Sequence, residues 1–328
     1  MRLALIAAKD RSSRKTAADI ISLVRDRFPE IALTEEVDAP ADALLVVGDD
    51  RFVLDALLEA NPRTPILSVG RGFLAESSPE GIETAIPNLI AGKHWIEERL
   101  RLELRIDGTQ FPPALNEVAL TTSRGGGFLR YSLEIDGEAI WRDGGDGVIV
   151  STPTGSTAYA MSAGGPVVME NSDAIVIVPI CSTEGRKPIV IPRRSIVAVS
   201  GIDSRLGREV VIDGRRRVRV GTADFTVRAS QESARFVRFG KARFLRVFGK
   251  LESRWRGVEM PADAPPSAKF VHRLLLDQGA LTERQIVRES RLPERTVRSA
   301  LNFLVRQQVV RRSPSLRDAR EAVFAIEP

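Results

Sequence analysis

The feature that most restricts the fold of this chain is a change of pattern near residue 99. Before it, three short apolar stretches (RLALIAA, ADALLVV and PILSVG) alternate with stretches of helical periodicity, which predicts a parallel sheet covered by helices. After it come eight short strand-like stretches, separated by Gly and Asp turns, with no long helix between them. The second pattern predicts an antiparallel all-β domain, so the expected fold class is α/β followed by all-β.

Composition limits what such a chain can be. Its 328 residues suggest two or three domains. The single cysteine, Cys181, excludes an intramolecular disulfide and fits a reducing compartment, so we expect a cytoplasmic protein. With one cysteine and two histidines, a Cys/His zinc site is excluded and no resident metal is predicted. The chain has no apolar run of the roughly 18 residues that span a bilayer, and its first residues indicate a buried strand rather than a signal peptide.

Charge is distributed unevenly along the chain. The last sixty residues, from Lys269, hold twelve Lys/Arg and seven Asp/Glu, which equals the whole net charge of +5. The first 268 residues hold 36 of each and are neutral. This asymmetry indicates a separate C-terminal module with a partner of its own.

The pattern of that module is helix, helix–turn–helix and two short strands around a basic loop. A Pro/Ala/Asp-rich linker at 257–267 leads into 268–328, where Thr282 is a predicted N-cap. The last helix places Val297, Leu301, Leu304 and Val305 on one face. The order resembles a winged helix, in which the opposite face would contact DNA through Arg295, Arg298, Ser299 and Asn302. A dimerisation or packing module of the same shape is the alternative.

Residues 146–166, DGVIVSTPTGSTAYAMSAGGP, combine seven hydroxyl side chains with four glycines. The stretch GVIVS predicts a strand that ends at a turn, where Gly155 would let the backbone approach a ligand closely. Backbone N–H groups that open a helix near Ser156 would favour an anion or a polar heterocycle. Hydroxyls both donate and accept, so they suit ribose and adenine edges. An ordinary Ser/Thr/Gly loop is the alternative interpretation.

The segment TPTGSTAYAMSAGGP resembles the signature of the NAD kinase family, whose members use ATP to phosphorylate the adenosine-ribose 2′-hydroxyl of NAD. Other segments resemble the family in the same order: PILSVGRGFLAES, ALNEVAL, Asp146-Gly147, VVIDGR and FGKLESRW. The resemblance runs from residue 1 to about 255 and does not include the winged-helix-like tail. It implies an α/β domain at 1–97 with a return segment at 236–256, and a dinucleotide-binding β-sandwich at 98–235.

The resemblance also implies a set of NAD contacts. Asn116 and Glu117 would bind the adenosine ribose and the amide edge, and Phe73 would pack near adenine. The signature would contribute adenine contacts from Thr157, Ala158 and Tyr159, with Ser162 supporting the loop. Asp146 would touch the nicotinamide-side ribose of a dinucleotide in a neighbouring subunit, because the family forms dimers and tetramers. A homodimer or homotetramer is therefore expected.

The phosphate-donor loop departs from the resemblance. The family carries Gly-Gly-Asp-Gly-Thr, and this chain has Val47, Gly48, Asp49, Asp50 and Arg51. Asp49 would be the catalytic residue that serves the reacting hydroxyl, and Gly48, Asp50 and Arg51 would form the donor loop for ATP and its Mg²⁺. We expect Asp50 to be strained if its position needs a positive φ, and to repel the triphosphate unless Arg51 offsets its charge.

Two further departures are Ser182-Thr183, where the family usually has Pro-His, and Arg215, where it often has Gln. This combination of family matches and departures leaves two main functions open. The first is an NAD kinase with NAD and ATP as substrates and Mg²⁺ as cofactor. The alternative is a non-catalytic NAD(P)-sensing transcriptional regulator that acts through the winged helix. A related lipid or sugar kinase is a third possibility, although Asn-Glu and the GSTAY run fit a dinucleotide better.

Overall fold

The computed structural model describes residues 1–36, 40–70, 72–123, 127–221, 223–240, 264–279, 281–290, 292–307, 309–314 and 322–326. The chain divides into two compact units, 1–241 and 242–328, which we describe separately. Within these ranges, no helix is both long enough and apolar enough to cross a bilayer.

The first unit begins with a sheet whose first four strands are parallel, as predicted. Its elements are β1 (Arg2–Ala7), α1 (Arg11–Arg27), β2 (Ala32–Thr34), β3 (Ala43–Val47), α2 (Asp50–Glu59), β4 (Ile66–Val69), α3 (Ile82–Ile90) and β5 (Trp95–Arg99). The strand order is β2-β1-β3-β4-β18-β5, where β18 (Ala234–Arg238) returns from the end of the unit. Strand β18 runs parallel to β4 and antiparallel to β5.

Alternating side chains of these strands pack against helices on opposite faces of the sheet. Leu3, Leu5 and Leu45 lie in one buried cluster with α1 and α3. Leu44 and Val46 lie in another cluster with α2. A strand covered on both faces is apolar at every position, which is why β3 reads ALLVV and is buried throughout.

The rest of the first unit is a sandwich of two antiparallel six-stranded sheets, ordered β10-β9-β14-β17-β6-β7 and β13-β12-β11-β8-β15-β16. Their bounds are β6 (Leu102–Ile106), β7 (Thr109–Gln110), β8 (Glu117–Thr122), β9 (Leu129–Ile135), β10 (Glu138–Gly145), β11 (Gly147–Ser151), β12 (Ala174–Ile180), β13 (Ile189–Pro192), β14 (Val197–Ser204), β15 (Arg208–Ile212), β16 (Arg216–Arg219) and β17 (Phe225–Ala229). One apolar core fills the space between the sheets. The α/β and all-β predictions are both confirmed.

The domain boundaries differ slightly from the predicted ones. Strand β5 continues the first sheet to Arg99, two residues beyond the predicted end at 97. Strand β18 rejoins that sheet at Ala234, two residues before the predicted return. Residues 241–256 of the predicted return segment, which include all of FGKLESRW, lie outside the described residues.

A buried cluster of charges joins distant parts of the first unit. Arg99 and Arg238 are each 1% exposed. Glu97 accepts hydrogen bonds from both guanidinium groups, at 3.0 Å from Arg99 Nη2 and 2.8 Å from Arg238 Nε. Glu170, which follows the signature, pairs with Arg99 at 2.8 Å, and Glu76 pairs with Arg238 at 3.0 Å. Buried charges persist only when they are paired in this way.

Glu97→Ala should lower the free energy of unfolding by about 3–5 kcal/mol, because it leaves two buried guanidinium groups without their shared partner. Urea denaturation followed by circular dichroism measures this change. The neighbouring Glu98→Ala is the control, because Glu98 is exposed and contacts Arg235 only at 3.9 Å. Its cost should stay below about 1 kcal/mol. An equal decrease in the free energy of unfolding for the two variants would contradict a structural role for the charge cluster.

The second unit has the order helix, strand, helix, helix, strand, strand. Its elements are α5 (Pro266–Gln278), β19 (Leu281–Thr282), α6 (Glu283–Ser290), α7 (Glu294–Arg306), β20 (Val310–Pro314) and β21 (Ala322–Ile326), and the sheet order is β19-β21-β20. Helix α5 begins at Pro266, inside the predicted linker, and residues 257–263 lie outside the described ranges. The basic loop around residue 317 also lies outside them.

Local signals in the second unit act as predicted. The Thr282 hydroxyl accepts a hydrogen bond from Gln285 N at 3.3 Å, and Gln285 Oε1 accepts one from Thr282 N at 2.8 Å, which is a capping box. Helix α7 buries Val297, Leu301 and Leu304, with Val305 packed partly against the same core. Gly279, with φ of 81°, ends α5.

The four predicted DNA-contact residues, Arg295, Arg298, Ser299 and Asn302, are all exposed on the other side of α7. Arg298 differs from the prediction in one respect. Its guanidinium donates to Glu283 at 3.0 Å and to Glu294 at 2.6 Å. This pairing reduces its capacity to attract an anion and ties α6 to α7.

Candidate active site

A buried carboxylate fixes the Asn-Glu segment. Asp213 lies in the turn after β15 with a φ of 51° and is 7% exposed. Its oxygens accept hydrogen bonds from the backbone N–H groups of Leu115, Asn116 and Glu117, at 2.8, 2.7 and 3.1 Å. Burial raises the pKa of Asp213, while these three amides and Arg101 act in the opposite direction. The sequence indicated an Asp-Gly turn here but did not predict this role.

The predicted dinucleotide residues Glu117, Asp146 and Tyr159 line one cavity of about 320 Å³, to which Arg217 also contributes. Glu117 is 5% exposed, and within the described residues its Oε2 has no hydrogen-bond partner. Burial, and secondly the charge of Asp213, raise the pKa of Glu117 to about 8. A buried carboxyl oxygen without a hydrogen-bond partner at the wall of a cavity is suited to contact a polar ligand.

Hydroxyl groups of the signature loop face inward rather than toward the cavity. The Thr152 hydroxyl donates to Leu115 O at 2.6 Å and accepts from Gly155 N at 3.0 Å. Ser156 donates to Pro153 O at 2.7 Å and accepts from Val168 N at 2.9 Å. The expectation that the hydroxyl run meets ribose and adenine edges is therefore wrong for Thr152 and Ser156, because both hydroxyls are already engaged by backbone groups of the protein.

Gly155 is required by the packing of the loop itself. A Cβ at this position would lie 2.1 Å from the carbonyl oxygen of Asn116, so the observed close approach is to the protein's own backbone. The expected helix start near Ser156 is a short 3₁₀ turn, Gly155–Thr157. The N–H groups of Ser156 and Ala158 donate to Thr152 O and Gly155 O, so they are not free for an anion.

The remaining signature residues lie closer to the cavity. Thr157 and Ala158 are half-buried, and Tyr159, at the start of α4 (Tyr159–Ser162), is 42% exposed. Ser162 is exposed, and no hydrogen bond within the described residues reaches its hydroxyl. Support of the loop, which the resemblance assigned to Ser162, is instead provided by the buried Thr152 and Ser156.

The donor loop runs from the end of β3 into α2. Asp49 is exposed and caps α2, its carboxylate accepting from Phe52 N at 2.9 Å. Asp50 lies in the first turn, so its φ is helical and the expected strain does not arise. Arg51 is exposed, and no carboxylate in the described part of the chain pairs with it.

Arg215 connects the sandwich to the donor-loop helix. Its Nε donates to Asp55 of α2 at 2.8 Å. The hydrogen bond to Asp55 raises the pKa of Arg215, partly offset by burial, and the nearby charges of Asp55 and Asp49 add to the increase. The candidate catalytic carboxylate therefore lies near a cation that the sandwich supplies.

The Ser182-Thr183 departure has a structural explanation. Ser182 donates to Asp143 Oδ1 at 2.9 Å, and the Thr183 hydroxyl donates to Gly144 O at 3.1 Å. Both residues hold the loop after β12 against the end of β10, just before Asp146.

Fold and site together define a two-part protein in which a sandwich carries a polar cavity and an α/β sheet supplies an exposed carboxylate at a helix start. Residues 115–239 match the family model described as the ATP-NAD kinase C-terminal domain. The NAD kinase of Methanosphaera stadtmanae is 39% identical over 217 residues, 64% of this chain and 78% of that protein. The NAD kinase of Corynebacterium diphtheriae is 36% identical over 262 residues, 75% of this chain and 83% of that protein.

Solved structures agree. An NAD kinase from Archaeoglobus fulgidus in complex with ATP superposes with a TM-score of 0.66 and 27% identity, covering 77% of this chain and 99% of that one. Yeast NADH kinase complexed with NADH gives a TM-score of 0.69 at 20% identity, covering 77% of this chain and 87% of that one, which supports the fold. The chain belongs to the NAD kinase family.

Part of this chain lies outside the match to one full-length relative. The NAD kinase of Thermococcus gammatolerans matches over 100% of its own length and yet covers 78% of this chain. The family resemblance seen in the sequence is thereby confirmed, and this chain contains residues that have no counterpart in that protein.

Glu117 should make the free energy of unfolding decrease as the pH rises. In the folded state it keeps its proton up to about pH 8, whereas its ordinary pKa is 4.5, so between these values the folded state binds more protons than the unfolded one. The wild type should therefore lose free energy of unfolding relative to Glu117→Gln as the pH rises from 5 to 8. Urea unfolding at several pH values measures the difference. Parallel pH profiles for the two proteins would contradict a buried, proton-retaining carboxyl.

Proposed function

We propose that this chain transfers the γ-phosphoryl group of ATP to the adenosine-ribose 2′-hydroxyl of NAD, giving NADP, with Asp49 serving the reacting hydroxyl. Membership of the NAD kinase family supports the reaction. The observation that supports the assignment to Asp49 is its position: an exposed carboxylate at the start of α2, near Arg215 of the sandwich. The hydroxyl oxygen attacks the γ-phosphorus, the bond to the ADP oxygen breaks, and the hydroxyl proton passes to Asp49.

The donor side requires little covalent chemistry from the protein. Phosphoryl transfer depends on positioning and on neutralisation of the phosphate charge. Gly48 and Arg51 are proposed to meet the phosphates, since Arg51 is exposed and pairs with no carboxylate of the described residues. Mg²⁺ would enter with ATP and neutralise charge on the phosphates, which needs only one or two carboxylates rather than a complete cage of ligands.

NAD is proposed to occupy the cavity of the sandwich. Its proposed contacts are Phe73, Asn116, Glu117, Asp146, Thr157, Ala158 and Tyr159, of which Glu117, Asp146 and Tyr159 share the cavity wall. Among the described residues, none makes a hydrogen bond to Ser162 that would support a role there. Asp146 is proposed to contact a dinucleotide of a neighbouring subunit in a homodimer or homotetramer. A cytoplasmic location is also proposed, because the single cysteine fits a reducing compartment.

Asp49→Asn should reduce NADP formation to background while the Kd for NAD stays within a few-fold, because the amide cannot accept the hydroxyl proton. Purified protein incubated with NAD, ATP and Mg²⁺, followed by an NADP-specific dehydrogenase, measures the product. Asp19→Asn, at an exposed position of α1, is the matched control and should keep full activity. A full kcat in Asp49→Asn would refute the assignment.

A second function, DNA binding by 268–328, is proposed for the added unit. Its element order matches the winged-helix pattern, and α7 exposes Arg295, Ser299, Asn302 and Arg306 opposite its buried face. Arg311 and Arg312 on β20 add exposed positive charge. No observation favours the alternative of a non-catalytic NAD(P)-sensing regulator, so we propose that DNA binding accompanies catalysis.

Arg295→Ala should weaken the binding of the full chain to duplex DNA and lower the slope of log K against log salt by about 1, as expected for one lost phosphate contact. Fluorescence anisotropy at several salt concentrations measures both quantities. Arg298→Ala should change the slope less, because its guanidinium already pairs with Glu283 and Glu294. Lys269→Ala on α5 is the control for a simple loss of charge. No binding by the wild type at low salt would exclude DNA as the partner.

A further inference from the structure

Asp50 occupies the position of the second glycine in the family pattern, and its side chain makes two hydrogen bonds to the backbone. Its Oδ2 accepts a hydrogen bond from Phe73 N at 2.8 Å, and its Oδ1 accepts one from Leu74 N at 2.9 Å. One carboxylate thus binds two consecutive amides across more than twenty residues of sequence. Hydrogen bonds to an ionised acceptor are stronger than neutral ones. We call this pair of hydrogen bonds the Asp50 bridge.

Nearby glycines leave the space that the Asp50 bridge and the adjoining backbone contact require. A Cβ at Gly72 would lie 2.3 Å from Asp50 Oδ1, so a larger residue there would displace the carboxylate. A Cβ at Gly70 would lie 2.0 Å from the carbonyl oxygen of Gly48, and Gly48 N donates to Val69 O at 3.0 Å. The loops after β3 and β4 are therefore joined by backbone contact at one end and by the bridge at the other.

Leu74 anchors the loop on the core side. It is 3% exposed and lies in the same apolar cluster as Leu54 of α2 and Leu115. The Ser68 hydroxyl donates to its carbonyl oxygen. Phe73, the residue before it, is half-buried, and its backbone is held by Asp50. A shift of this loop would move the Phe73 side chain directly.

We propose that Asp50 is a positioning residue for the dinucleotide: it fixes the 72–74 loop so that Phe73 meets NAD, and it does not serve the donor phosphates. This inference rests on the proposed NAD contact of Phe73. Both carboxylate oxygens are directed at loop amides, so the negative charge expected to repel the triphosphate is engaged elsewhere. The replacement of glycine by aspartate therefore leaves Asp49 and Arg51 as the charged groups of the donor loop.

Asp50→Gly restores the family pattern and tests the proposal. We expect the Kd and KM for NAD to rise about tenfold, since a hydrogen bond to a charged group contributes roughly that factor. The KM for ATP should change less than about twofold, and hydrogen exchange at the amides of 73 and 74 should become faster. Glu59→Gln is the matched control, because it removes an exposed carboxylate from the other end of α2 and should change none of these.

Gly72→Ala provides an independent test through non-additivity. Its Cβ would displace the Asp50 carboxylate, so alone it should raise the Kd for NAD as Asp50→Gly does. In the Asp50→Gly background the same substitution meets no carboxylate and should add little. Additive effects would show that Gly72 acts by another route and would contradict the bridge. If Asp50→Gly fails to fold, Asp50→Asn keeps the size and one acceptor, and it should give the same changes at smaller magnitude.

The outcomes separate this inference from the proposed function. NAD affinity by calorimetry and amide exchange require no turnover, so they test Asp50 even if the wild type forms no NADP. A raised KM for ATP with unchanged NAD affinity would assign Asp50 to the donor site and overturn the proposal. Unchanged exchange at 73 and 74 would also overturn it. Faster exchange together with weaker NAD binding supports it.

Discussion

The site depends on one buried carboxylate. Asp213 binds three consecutive amides of the segment 115–117, and a buried carboxylate is stable only where donors meet its charge. The turn after β15 and the start of β8 must therefore fold together. Leu115 O and Asn116 O in turn accept hydrogen bonds from the Thr152 hydroxyl and Thr152 N. The segment that Asp213 fixes is the base on which the signature loop is built.

This dependence explains the composition of the hydroxyl-rich stretch. Small hydroxyl residues fit a tightly folded loop because each can satisfy a backbone group that no regular element satisfies. Thr152 and Ser156 do this, and Gly155 gives the space that the Asn116 carbonyl needs. The predicted site residues that line the cavity are fewer, and they come from separate elements: Glu117 from β8, Asp146 before β11 and Tyr159 from α4. The loop is held by hydrogen bonds within the protein itself, and a site held in this way loses less conformational freedom when it binds a ligand.

Much of the fold could be predicted from the sequence, because period-two and fully apolar strands report burial directly. The eight predicted strand regions of the sandwich occur, whereas β7, β13 and β16 are short edge strands with too few residues to show a period. The roles of individual side chains were harder to predict from the sequence. The hydroxyls of Thr152 and Ser156 have the right chemistry for a ligand, and only the surrounding backbone shows that they face inward. The Asp213 contacts span about 97 residues, and no local pattern indicates a contact of that range.

The return of β18 to the first sheet has a consequence for the order in which the chain folds. Strand β18 lies between β4 and β5, although these two strands precede it by well over a hundred residues. During synthesis, β5 has no neighbour in the sheet until residues 234–238 leave the ribosome. The whole sandwich is synthesised before the first sheet can close. A ribosome-bound chain that stops short of residue 234 thus carries an unpaired edge on β4. Such an edge can pair with the wrong strand, and chaperones are needed to prevent this.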